Sequence, residues 1–144
     1  MNTNAAQVLV RLMEIRKQRL ALVSARALQD HLKASSFSRQ VDAYSAEYLQ
    51  SWSKAVTQGD EVAQLQAQSA FGARLQDTAV AQRHEAQALA QESQRALDKV
   101  VEAHERLKVM QSWLDRQQSQ ARALRTRREE RDLEDRIQAG AVQR

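Results

Sequence analysis

The stretch Thr57-Gln58-Gly59-Asp60-Glu61 decides the fold. It is the only strong turn signal inside a chain that contains no proline. Gly59 has no Cβ, so it can take the left-handed conformation that ends a helix. Asp60 can then accept from the free amides that open a second helix, with Glu61 well placed in its first turn. So short a link sends the second helix back along the first. The expected fold class is all-α: a long antiparallel two-helix coiled-coil hairpin with an overhanging C-terminal helix. It reads as a single unit over residues 1–144, with helix one at about 4–58, the turn at 58–60 and helix two at about 61–139.

Composition agrees with that reading. Ala, Gln, Arg, Glu and Leu dominate, and all are good helix formers. Aromatic residues make up only 4% of the chain, which argues against a thick globular core. A two-helix rod buries one narrow stripe and depends on length rather than bulk. No run approaches the roughly 20 apolar residues needed to cross a bilayer. The first residues, Met1-Asn2-Thr3-Asn4, lack the basic and apolar regions of a secretory signal. The absence of Cys fits a reducing compartment. Charge is interspersed, with 22 basic and 18 acidic residues, which is the pattern of a solvated helical surface rather than a nucleic-acid footprint.

Outward from the turn, helix one carries Phe37, Val41, Tyr44, Tyr48 and Trp52. Farther back, Val8, Leu12, Ile15 and Leu22 form one apolar stripe, and Val10, Met13, Leu20 and Val23 form a second beside it. Together they predict a broad packed face. Asn4 reads as the N-cap, with Gln7 completing a box-like pattern. The Ser-rich residues 33–38 are the weakest helical stretch, and a continuous helix is the expectation there. In helix two, Leu97, Val100, His104, Leu107, Gln111 and Leu114 follow a 3-4 spacing, the period of a coiled coil. Stepping that phase back gives Ala90, Ala86, Ala79, Gly72, Leu65 and Val62, with Ser93, Arg83, Gln76 and Ser69 between them. The expected seam is therefore small and polar toward the turn, with Gly72 at a tight point. Glu102 with Arg106, and Asp132 with Arg136, are favourable pairs at i, i+4.

Folding back at Gly59 runs helix one out opposite about residue 114 and leaves the last thirty or so residues alone, roughly 45 Å of helix. That overhang carries Arg116, Arg122, Arg125, Arg127, Arg128, Arg131 and Arg136 among Glu129, Glu130, Asp132, Glu134 and Asp135. The same folding sets Tyr48 against Phe71, Tyr44 against Leu75, Val41 against Thr78 and Phe37 against Gln82. On the phase above, Phe71, Leu75, Thr78 and Gln82 flank the seam. Two readings stand side by side: these residues are core near the turn, or they are an exposed aromatic band that docks a partner.

These residues resemble the FliJ/YscO family of type III secretion proteins, which serve flagellar export and virulence injectisomes. The resemblance rests on Tyr44-xxx-Tyr48 before the turn and Phe71-xxx-Leu75 after it. It also rests on Arg106-Leu107…Gln111-Ser112-Trp113…Arg116-Gln117 and on Arg128-Glu129…Leu133-Glu134-Asp135…Gln138. It covers nearly the whole chain, hairpin placement included. The resemblance implies a central stalk or adaptor, similar to the γ subunit of rotary ATPases. Such a stalk engages an export ATPase hexamer at its terminal end and the cytoplasmic domain of the export gate at its turn. Export chaperones are a further implied partner. Its implied place is cytoplasmic, at the inner face of the bacterial inner membrane and not inserted. The implied gate-docking cluster is Phe37, Val41, Tyr44, Tyr48, Phe71, Leu75, Thr78 and Gln82. Flagellar members can carry Gln, Ala and His where this chain has Phe37, Thr78 and Gln82. The implied ATPase side includes Arg116, Arg122, Arg125, Arg128 and Arg131.

Catalytic chemistry is missing from the sequence. It has no glycine-rich phosphate loop, and His31, His84 and His104 lack metal-ligand spacing. No enzyme activity, cofactor, metal or nucleic-acid partner is expected. The alternative to a stalk is a structural coiled-coil scaffold or tether that self-associates.

Overall fold

The computed structural model describes residues 2–142. Two long helices, α1 (Thr3–Gln58) and α2 (Val62–Val142), account for nearly all of them, and no strand occurs among the described residues. Helix α1 runs unbroken through residues 33–38, and α2 continues through Gly140 to Val142. The helices divide into two compact units: Arg19–Val100, and Met1–Gln18 together with Val101–Arg144.

The turn unit, Arg19–Val100, is organised at Gly59. This glycine has φ +78°, the one positive φ among the described residues. Its N–H donates to Val56 C=O at 3.3 Å, and Asp60 N–H donates to Ala55 C=O at 3.3 Å. This double closure satisfies two carbonyls at the end of α1. Asp60 is thereby spent on closing α1. The first backbone bond of α2 runs from Leu65 N–H to Glu61 C=O at 2.9 Å, so Glu61 occupies the N-cap position expected of Asp60.

From the turn outward, the covered positions of α1 include Trp52, Tyr48, Ser45, Val41, Ser38, Ala34, His31, Ala27, Ser24 and Leu20. Those of α2 include Leu65, Gln68, Gly72, Leu75, Ala79, Gln82, Ala86, Leu89, Ser93, Ala96 and Val100. Both series alternate steps of three and four without a break, as two helices in a coiled coil must. Only Ala79, Ser38 and Ser45 are buried outright in this unit, which marks the seam as narrow.

This phase corrects half of the expected seam. Gly72, Ala79, Ala86, Ser93, Val100, Leu107 and Leu114 belong to it, but Leu75 and Gln82 replace Gln76 and Arg83, and Ala96 and Ala103 replace Leu97 and His104. The physical reason is the order of the steps. From Gly72 the alternation that meets α1 goes first by three to Leu75 and then by four to Ala79, and the same alternation reaches Gln82, Ala96 and Ala103 in place of Arg83, Leu97 and His104.

In the other unit, α1 begins at Asn2, whose Oδ1 accepts from Asn4 N–H at 3.2 Å; Asn2, not Asn4, is the capping side chain. Ala6, Val10 and Met13 of α1 and Leu107, Met110 and Leu114 of α2 are covered, with Ala6, Leu107 and Leu114 buried. Gln111 Nε2 donates to Glu14 Oε1 at 3.5 Å along one edge. The stripe Val8, Leu12 and Ile15 lies on the solvent side of α1 instead of in the predicted broad packed face. From residue 119 to residue 142 every residue is exposed while remaining helical.

Candidate functional site

Tyr48 anchors the aromatic band. It projects from a seam position of α1, and its phenol O–H donates to the Gln68 carbonyl at 2.9 Å. Its ring lies 5.0 Å from the Phe71 ring, centroid to centroid, tilted by 60°. Such tilted pairs are favourable beyond the area they cover. Gly72 makes room for this ring. A Cβ built on Gly72 would meet Tyr48 Cε1 at 3.3 Å, so any larger residue would press on it. Trp52, one turn nearer the loop, donates Nε1–H to the Leu65 carbonyl at 3.3 Å. Both aromatic side chains thus tie α1 to the backbone of α2, satisfying their polar ends inside a thin seam.

The band has an inner and an outer row. Tyr48, Val41, Leu75 and Gln82 are partly covered. Tyr44, Phe37 and Phe71 are 52%, 49% and 40% exposed, and Thr78 is exposed as well, its hydroxyl turned back to the Arg74 carbonyl. The cluster is thus divided: four of its residues contribute to the seam, and three large side chains with Thr78 face solvent. The guanidinium of Arg74 stands 6.0 Å from the centre of the Phe71 ring. At that distance it adds a cationic edge to the apolar surface.

Heptad geometry places this band on one flank of the turn unit. The opposite flank holds a groove of about 390 Å³ lined by Leu49, Trp52, Gly72, Ala73 and Gln76 among others. Arg83 pairs with Asp42 at 3.1 Å farther along that flank. Ser45 Oγ donates to Gln76 Oε1 at 3.3 Å. Among the described residues, His31 Nδ1 and Gln68 Oε1 are buried without a hydrogen-bond partner. Neither Gln68 nor Arg74 belongs to a motif that marks it in the sequence. The need of a half-buried Tyr for an acceptor was the only available signal, and sequence alone does not say which carbonyl meets it.

On the terminal side, Arg116, Arg122, Arg125, Arg128 and Arg131 are all exposed. Arg122 Nε–H donates to Gln118 C=O of its own helix at 3.4 Å. A shallow cleft of about 250 Å³ beside the start of α1 is lined by Thr3, Gln7, Gln118, Ala121, Arg122 and Arg125. Among the described residues, no group of three or more His, Asp or Glu side chains is placed to hold a metal ion, and no helix is long and apolar enough to cross a membrane.

The described residues thus form a helical hairpin with a narrow seam and with exposed aromatic and arginine-rich surfaces. The family description of the flagellar FliJ protein matches residues 3–140, and the chain belongs to the FliJ family, structural proteins of flagellar export. No curated protein and no solved structure matches it.

Proposed function

We propose that this protein is the central stalk of a flagellar export apparatus, engaging the export ATPase hexamer through its terminal side and the export gate through the turn unit. The observation that carries this reading is the family match over residues 3–140 together with the exposed row Phe37, Tyr44 and Phe71 beside Tyr48. Exposed aromatics against a rigid support are the composition of a protein-docking hot spot. Val41, Leu75, Thr78 and Gln82 complete that docking surface.

The arginine-rich stretch of α2 serves as the overhang that enters the ATPase ring, with Arg116, Arg122, Arg125, Arg128 and Arg131 as contacts. An asymmetric stalk in a symmetric ring touches each subunit interface differently. Those differential contacts bias which interface is closed and so raise turnover. The protein works in the cytoplasm at the inner membrane face, without a cofactor and without catalysis of its own. Export chaperones are further partners, and the aromatic chemistry of the band suits the corresponding proteins of virulence injectisomes equally.

The test is ATP hydrolysis by a cognate export ATPase with and without the chain. Stimulation that disappears when residues 119–144 are removed supports the stalk. No stimulation and no association with the hexamer would overturn it.

A further inference from the structure

The first turns of α1 carry an apolar stripe that nothing in their own chain covers. Val8, Leu12 and Ile15 are 60%, 58% and 41% exposed, and they follow one another at spacings of four and three. That spacing fits the side chains of another helix. Arg11 flanks the stripe on one side and Arg16 on the other, both exposed. Glu14 is the one acid between residues 3 and 18, and it sits on the α2 edge, accepting from Gln111 Nε2. The outward face is thus apolar with a cationic border, and it calls for an acidic amphipathic helix.

The same chain contains such a helix. In α2, Leu133 and Ile137 are spaced by four and exposed. Glu129 and Glu130 lie on either side of them, with Glu134 beside Glu130 at i, i+4. This stretch cannot reach the stripe of its own chain. The Glu14–Gln111 bond sets Val8 opposite about residue 117, and α2 continues from there as one unbroken helix. Residue 129 lies about 18 Å farther along it.

We infer that residues 129–137 of a second copy pack along the Val8–Leu12–Ile15 stripe. Leu133 and Ile137 meet the aliphatic row, and the glutamates meet Arg11 and Arg16. Each chain offers one stripe and one acidic stretch, so two copies close a two-fold dimer and the association stops there. The inference does not rest on the stalk reading. The dimer occupies the terminal stretch of α2, so a chain paired in this way is unavailable to any other partner of that stretch.

Sedimentation equilibrium of the full chain at low salt tests this with two charge-reversed variants. One is Arg11→Glu with Arg16→Glu, and the other is Glu129→Arg with Glu130→Arg. The wild type is expected to dimerise in the micromolar range and to dissociate as salt rises. Each variant alone is expected to be monomeric, and an equimolar mixture to recover the dimer, because reversal of both partners restores attraction at both contacts. Leu12→Gln with Ile15→Gln, which leaves the charge unchanged, is expected to weaken the dimer about tenfold or more. Val109→Gln, at an exposed position of α2, is expected to leave it unchanged. A wild type that stays monomeric at high concentration overturns the inference. So does a mixture that fails to associate, or a dimer indifferent to Leu12 and Ile15. All the altered side chains are exposed, and helicity by circular dichroism verifies that the variants fold.

Discussion

Leu107 and Leu124 are the same residue on the same helix, and they illustrate two ways for a helix to exist. Leu107 is buried in a seam beside Leu114, whereas Leu124 stands among residues that are all exposed. The first helix segment is held by packing against α1. The second, residues 119–142, meets α1 only at the shallow cleft of Ala121, Arg122 and Arg125 and otherwise rests on intrinsic helix propensity. A packed segment is fixed in place. An unpacked one keeps its side chains free for a partner, and here arginine is the commonest of them.

The sharpest way to break the contrast is truncation of each leucine. Leu107→Ala is expected to cost about 2–4 kcal/mol in urea denaturation, and Leu124→Ala less than about 0.5 kcal/mol. Equal losses would mean that residues around 124 are packed in solution. Next in size is Gly72→Leu, expected to destabilise by about 2 kcal/mol through overpacking against Tyr48. The accompanying sign is a change in the near-ultraviolet signal of the aromatic pair, and an unchanged spectrum would remove the tight point. Tyr48→Phe deletes the hydroxyl that reaches the Gln68 carbonyl and is expected to cost about 1 kcal/mol. Asp42→Ala closes the series. Its ion pair with Arg83 is largely solvated, with side chains 39% and 51% exposed, so the expected loss is below about 0.5 kcal/mol and shrinks with salt.

The contrast also shows what could be read from the sequence. Gly59 was legible because a single glycine between proline-free, helix-favouring stretches admits one interpretation. The Tyr48–Phe71 pairing followed directly from that turn. The seam phase was only half legible. Alanine is abundant on α2 and occupies neighbouring phases at Ala86, Ala88 and Ala90, so periodicity does not choose between them. Leu97 fits a 3-4 spacing with Val100 and Leu107, yet the seam takes Ala96 and leaves Leu97 47% exposed. On α1 the phase likewise leaves Val8, Leu12 and Ile15 outward while Ala6, Val10 and Met13 are covered. Helix caps were misplaced by one or two residues, at Asn2 rather than Asn4 and at Glu61 rather than Asp60. Several polar residues near each end could satisfy the free amides, and the backbone path decides which one does.

Division of labour between the two surfaces is the central claim, and one paired experiment tests it most directly. Binding to the export gate's cytoplasmic domain and stimulation of the export ATPase would be measured for Tyr44→Ala with Phe71→Ala, and for a chain ending at residue 118. The aromatic variant should lose gate binding and keep stimulation, and the shortened chain should do the reverse. If either change abolishes both activities while helicity is retained, the two surfaces do not act separately and the account is contradicted.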